Sequence, residues 1–88
     1  MKFEWNVEKA EANLAKHKVR FEIVFELDWD VCRIVDDLRF DYGEARYIAY
    51  ARSESGDRYV VAFTLRSGTY RIISVRRFGR KEYKIYGE

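Results

Sequence analysis

Residues 58–66, RYVVAFTLR, and 69–77, TYRIISVRR, form the longest stretches in which β-branched and aromatic residues recur without a break. That composition marks sheet strands. Ser67 and Gly68 stand between them, a two-residue connection suited to a hairpin because Gly tolerates positive φ. Strict alternation in the second strand puts Tyr70, Ile72, Ser74 and Arg76 on one side and Arg71, Ile73, Val75 and Arg77 on the other. Each side then mixes apolar residues with a cation. With the Ser67-Gly68 turn, Arg66 lies opposite Thr69, Leu65 opposite Tyr70 and Thr64 opposite Arg71. Arg66 and Arg71 then share a face, and Arg76 falls on the other face beside Tyr59.

Upstream the pattern changes. Residues 2–5 predict a short strand with Phe3 and Trp5 facing one way. Asn6 is a suitable N-cap for a helix over 7–18, with Glu8 favourable in its first turn. Val7, Ala10 and Leu14 form its inner face, and Lys9, Asn13 and Lys16 a polar stripe. A second short helix follows over 21–27 with Phe21, Val24 and Phe25 inward. Residues 31–35 predict a strand, 36–44 an acidic loop, 45–53 another strand, 53–57 a turn, and 80–86 a basic closing helix. The expected order is β-α-α-β-β-β-β-α. It describes an α+β fold: an antiparallel meander with two N-terminal helices and a short C-terminal helix. Apolar residues on both faces of the late strands call for helices against each face.

Length makes the 88 residues a single domain spanning 1–88. The chain contains 48% hydrophobic and 36% charged residues, which excludes a disordered chain. One Cys and one His cannot build a zinc site or an intramolecular disulfide. The opening segment MKFEWNVEKAEA lacks the apolar run of a signal peptide or membrane span, so the expected compartment is the cytoplasm. Net charge is +2, unevenly spread: residues 1–65 hold 10 Lys/Arg against 13 Asp/Glu, and residues 66–88 hold 7 against 2. A basic late segment calls for an anionic partner, or simply solvates the surface.

The candidate chemistry follows from that segment. Arg66, Arg71 and Arg76 can hold a phosphate, since guanidinium donates two parallel hydrogen bonds and keeps its charge. Arg77, Arg80, Lys81, Lys9 and Lys16 add cations, and Tyr70, Tyr83 and Tyr86 add stacking surfaces for unpaired bases, unless these rings serve packing instead. His17 is the side chain that titrates near neutrality unperturbed, and can carry a proton in a cleavage that uses the ribose 2′-OH. The helix dipole alone also favours a histidine at that position. Asp36, Asp37 and Asp41 could hold Mg²⁺ weakly, but without a fixed octahedral arrangement they read as a solvated loop. No Gly-rich phosphate loop, GxSxG elbow or HExxH helix is present.

FEWN at 3–6, Lys9, Asn13, the KH pair at 16–17, Val19, Phe21, RYIA at 46–49, TLR at 64–66, RIIS at 71–74, Arg76 and Glu82 occur in order. Taken together these resemble the BrnT family of toxins from bacterial type II toxin–antitoxin modules. The resemblance implies a RelE-like fold and a metal-independent ribonuclease that shuts down translation. It also implies neutralisation by a cognate antitoxin whose ribbon-helix-helix part binds DNA, so no direct DNA binding is expected from this chain. Three positions depart from the family's pattern: Asn6 replaces an Asp, Lys18 a Gly, and Val75 a smaller residue. Lys18 must then take the left-handed conformation at a cost, or the first helix must end differently. The expected activity is RNA cleavage, with Arg66 and Arg71 on the phosphate, Arg76 on the transition-state charge and His17 moving a proton. A non-catalytic RNA-binding module and a protein-interaction domain are the rival readings.

Overall fold

The computed structural model describes residues 1–87. Its elements are β1 (Phe3–Glu4), α1 (Val7–His17), a 3₁₀ helix (Phe21–Glu26), β2 (Arg33–Asp36), β3 (Tyr47–Arg52), β4 (Arg58–Arg66), β5 (Thr69–Arg77) and α2 (Arg80–Tyr86). One five-stranded sheet runs in the order β1-β5-β4-β3-β2. Strands β2 to β5 form the expected antiparallel meander. β1 pairs parallel to β5, so the sheet is mixed and not purely antiparallel. Most of the chain separates these two strands, which gives room for the long connection that parallel neighbours require. No helix among the described residues is long and apolar enough to cross a membrane.

Three local expectations change. The second N-terminal helix is a 3₁₀ helix, six residues long. With three residues per turn, Phe21 and Val24 superpose and point into the core, whereas Phe25 swings away. Phe21 and Val24 are fully buried and Phe25 is 64% exposed, touching Phe3 and Trp5 edge-on. Val7 also lies outside the core, while Ala10 packs against it. Lys18 does adopt the left-handed conformation, φ 60°, and its N–H closes α1 on the Leu14 carbonyl.

The hairpin register is the predicted one as far as Phe63, with Arg66 opposite Thr69, Leu65 opposite Tyr70 and Thr64 opposite Arg71. Ser67 and Gly68 both take positive φ, 52° and 79°, the pair of signs that matches the twist of a tight hairpin. Beyond that point the ladder shifts: Phe63 pairs with Ile72, but Ala62 pairs with Ser74. Ile73 is an extra residue, a β-bulge. The shift moves Arg76 opposite Val60, and not Tyr59, so its side chain lies on the same face as Arg66 and Arg71. The expectation that it pointed the other way is thereby corrected. The bulge also explains the mixed alternation. Ile72 and Val75 go to the core at 1% and 0% exposure, and Arg71, Ser74 and Arg76 go to the opposite face.

The core lies on the α1 side of the sheet, where Val19, Phe21, Val24, Ala49, Val61, Phe63, Ile72 and Val75 pack together. Phe3, Trp29 and Tyr70 extend it, Trp29 meeting Phe63 edge-on. β1 is only two residues long and leaves the outer edge of β5 open beyond Arg71. Asn13 fills that role. Its side-chain carbonyl accepts from the Val75 N–H at 3.0 Å, and its amide donates to the Val75 and Val19 carbonyls at 2.8 and 3.0 Å. The primary amide thus imitates a neighbouring strand. Asn13 is 6% exposed, so it does not belong with Lys9 and Lys16 in a solvent-facing stripe.

Asn13→Ala leaves one N–H and two carbonyls unpaired in a buried place. That change should destabilise the fold by about 2–3 kcal/mol and lower the melting temperature by roughly 10–20 °C. Thermal unfolding followed by circular dichroism measures it; a melting temperature equal to that of the wild type would mean that water replaces the amide at no cost.

Candidate active site

α2 folds back over the sheet face that carries the arginines. Contacts at both of its ends hold it there. Tyr86 stacks on Tyr50 of β3 with ring centroids 3.8 Å apart and planes inclined by 20°. Glu82 receives two hydrogen bonds from Arg76, at 2.9 and 3.2 Å, and a third from the Gly79 N–H at 2.6 Å. The last is half of a capping box: a glutamate in the first turn reaches back to the residue that starts the helix. Arg76 also donates to the Arg77 carbonyl at 3.2 Å. Between α2 and the sheet lies a cleft of about 390 Å³, whose walls include Arg39, Ser74, Arg76, Lys81, Tyr50 and Tyr86.

The electrostatics of this cleft follow from those contacts. The Glu82 carboxylate is held down to a pKa of about 2, first by the hydrogen bonds from Arg76 and then by the Gly79 N–H. His17, half-buried in the last turn of α1, has its pKa lowered by burial and by the positive charges of Lys16 and Arg76. A lowered imidazole is neutral at physiological pH and accepts a proton more readily than it supplies one. His17 is not among the walls of the cleft; the weakest of the three causes acting on it is the charge of Arg76. Burial and the neighbouring Tyr86 raise the Tyr50 phenol.

The other predicted residues are dispersed. Arg66 and Arg71 share the face of Arg76, as their register requires, but the walls of the cleft do not include them. Arg66 pairs with Glu44 at 3.5 Å, and Arg71 with Glu4 of β1 at 2.5 Å. Arg77 lies on the opposite face, 3.9 Å from Asp57 and 5.4 Å over the Tyr59 ring. Lys9 and Lys16 are exposed on α1, and Arg80 and Lys81 on α2. Tyr83 is half-exposed against the edge of Phe78. Tyr70 belongs to the core-side aromatic cluster, stacked on Phe63 at 5.0 Å. The acidic loop is also different in kind from a solvated one. Asp37 is buried, its oxygens taken up by Arg39 at 2.9 Å and by the Tyr42 hydroxyl at 3.1 Å, and its pKa falls to about 2.

Sequence reasoning missed Arg39, Tyr50 and the internal partner of Arg76. A glutamate three residues after Gly79 was a usable sign of a helix start, obscured because glycine offers no capping side chain. Nothing local marks Tyr50 or Arg39, which reach the cleft only through sheet pairing and the path of the 37–44 loop.

The chain is a small α+β domain with a guanidinium-bearing sheet face beneath a short terminal helix. Residues 5–82 match the family described as the ribonuclease toxin BrnT of type II toxin–antitoxin systems, and the chain belongs to that family. It is therefore a ribonuclease toxin whose system supplies an antitoxin partner. Among solved structures, the 1.1 Å crystal structure of the Brucella abortus ribonuclease toxin BrnT is similar at 23% identity, with a TM-score of 0.68 over 91% of this chain and 99% of that one. No curated protein matches in sequence.

Two measurements test the electrostatics. A carboxylate with a depressed folded-state pKa stabilises the fold above its unfolded value, and that stability is lost as pH falls through the folded value. The advantage of the wild type over Glu82→Gln should therefore be full at neutral pH and fade between about pH 4.5 and about 2, as read from melting temperatures. A pH-independent gap would assign Glu82 a packing role. In NMR, His17 should titrate below 6.5, and Arg76→Ala should move its midpoint upward; an unmoved midpoint would separate the two groups.

Proposed function

We propose that the chain is a metal-independent endoribonuclease that arrests translation and is neutralised by a cognate antitoxin bearing a ribbon-helix-helix part, on a scaffold of RelE-like ancestry. The observation that carries this reading is the bulge at Ile73, which brings Arg76 to the sheet face that Arg66 and Arg71 share. RNA is the substrate. Its phosphates exchange for the carboxylates that now occupy these arginines, since both anions accept the same forked pair of hydrogen bonds. The outer two pairs are partly solvated and therefore weak enough to exchange.

In this reading Arg66 and Arg71 hold the strand, and Arg76 stabilises the charge that develops on the phosphorane. The ribose 2′-oxygen attacks phosphorus as its proton passes to neutral His17. The bond from phosphorus to the 5′-oxygen breaks, and that oxygen takes back a proton from the imidazolium or from water. The products are a 2′,3′-cyclic phosphate and a 5′-hydroxyl. Lys9, Lys16, Arg77, Arg80, Lys81, Tyr83 and Tyr86 are the wider candidates for contact with RNA. Arg77 is the weakest of them, because it faces the other side of the sheet. Acidic residues of the antitoxin would mask the same cations.

Labelled RNA incubated with purified protein in EDTA should be cut. Arg71→Ala should lower cleavage by about tenfold or more while shifting the melting temperature by no more than about 5 °C, because a partly exposed ion pair contributes about 0–1 kcal/mol. Intact RNA that remains bound would identify a binding module. Absence of binding at physiological salt would identify a protein-interaction domain. Inducible expression in bacteria should arrest growth, and co-expression of the antitoxin should relieve it.

A further inference from the structure

The end of the sheet that carries β3's last residue and β4's first holds a second cleft, of about 360 Å³. Arg33 of β2, Arg52 of β3 and Arg58 of β4 line it, together with Tyr50, Phe78 and Tyr86. Their convergence follows from register. Arg33 is the cross-strand neighbour of Tyr50, and Arg52 that of Arg58. Tyr50 and Arg52 are two residues apart on one strand, so all four side chains share the α2 face of the sheet.

These arginines differ from those of β5 and the end of β4. Arg66, Arg71, Arg76 and Arg77 each have a carboxylate within 4 Å. Among the described residues, Arg33, Arg52 and Arg58 close no ion pair, and no described wall residue of this cleft is acidic. Among the described residues the Arg58 side chain donates only to the Tyr86 carbonyl, at 3.3 Å, and Arg33 lies 6.0 Å over the Tyr86 ring. Asp28 and Glu54 border Arg52 in a separate hollow without reaching ion-pair distance. Like charges directly opposite on paired strands are destabilising. The Arg52–Arg58 pair is thus a cost to the free fold that an anion would relieve.

We propose that this cleft binds the phosphodiester backbone of single-stranded RNA, as an extension of the candidate active site; the proposal rests on the ribonuclease reading. The stacked pair Tyr50 and Tyr86 lines both clefts, so a strand leaving one crosses this aromatic ridge into the other. Cations that follow a backbone, interleaved with rings on which bases stack, are what a flexible single strand requires. An acidic protein segment would use the cations but has no comparable use for three aromatic rings.

The test uses the full chain and two RNAs with 2′-O-methyl riboses, a trimer and a dodecamer, followed by fluorescence anisotropy. These strands lack the attacking hydroxyl, so a chain that fails to cut RNA still tests the cleft. The wild type should bind the dodecamer more tightly than the trimer. Replacing Arg33, Arg52 and Arg58 together by Ala should weaken dodecamer binding about tenfold or more in 0.1 M salt and make the logarithmic salt slope shallower by about 0.7 for each phosphate released. The corresponding Lys triple should retain most of the affinity. The melting temperature should shift by no more than about 5 °C, because loss of the Arg58 and Arg33 contacts with Tyr86 is offset by removal of the repulsive pair. Equal dodecamer affinity in wild type and Ala triple would overturn the proposal. So would a variant that loses poly-glutamate binding but keeps RNA binding, which would make the cleft a site for an acidic protein.

Discussion

One surplus residue in β5 governs the layout of this toxin. A regular ladder from the Ser67-Gly68 turn would carry Ser74 and Arg76 to the core side and Val75 to the solvent side. Ile73 absorbs the mismatch. Below it, Tyr70 and Ile72 face the core; above it, Val75 does. Arg76 is thereby moved to the face that Arg71 already occupies, and Arg77 goes to the α1 side beside Tyr59. A charged side chain cannot be buried unpaired without a large penalty, whereas a bulge costs only local pairing. The observed register thus keeps Ser74 and Arg76 out of the core and puts Val75 into it, and leaves only Arg77, at the strand's exposed end, on the core side.

The second consequence concerns charge. Arg66, Arg71 and Arg76 do not stand as a bare positive field. Glu4, Glu44 and Glu82 come from three distant parts of the chain, and each takes one of them. The −3 of residues 1–65 offsets the +5 of residues 66–88 to leave +2, and Glu4 and Glu44 from the acidic part stand directly against arginines of the basic part. Burial orders these pairs. Glu82 is the most sequestered of the three carboxylates, with 12% of its side chain exposed against 33% for Glu44 and 43% for Glu4. A phosphate gains most easily where the resident carboxylate is most solvated, at Arg66 and Arg71, and least easily at Arg76. Arg76 is consequently the most precisely oriented of the three and the least available as a simple docking charge.

Much of the fold was legible because its signals are local. Alternating apolar residues identified β4 and β5, a Ser-Gly pair identified their turn, and Asn6 identified the start of α1, where its side chain accepts the Lys9 N–H. The parallel pairing of β1 was not legible, since two residues carry no directional pattern. The 3₁₀ geometry of residues 21–26 was not either, because an apolar residue at i+4 reads as part of an α-helical face. For the candidate site, the sequence could offer residue types but not their arrangement. Which arginines share a face depended on a bulge, and alternation counted residue by residue has no means of detecting one. Arg33, Arg52 and Arg58 were passed over because they lie outside the basic segment; strand pairing, not sequence proximity, assembles them.

Asn13 connects these strands of argument. It sits one turn before His17 on α1 and bonds both backbone groups of Val75, the residue before Arg76. The helix that carries the candidate proton acceptor is thereby fixed against the strand that carries the candidate transition-state cation, through a side chain that cannot slide along β5 without losing its bonds. A two-residue β1 leaves that stretch of edge open, and an amide closes it where a longer strand would have kept α1 away. The short strand, the buried amide and the bulge thus serve a single geometric end: they bring the C-terminal turn of α1 and the upper half of β5 to a fixed separation. Hydrophobic packing alone tolerates small shifts of a helix on a sheet, but a three-bond polar contact does not.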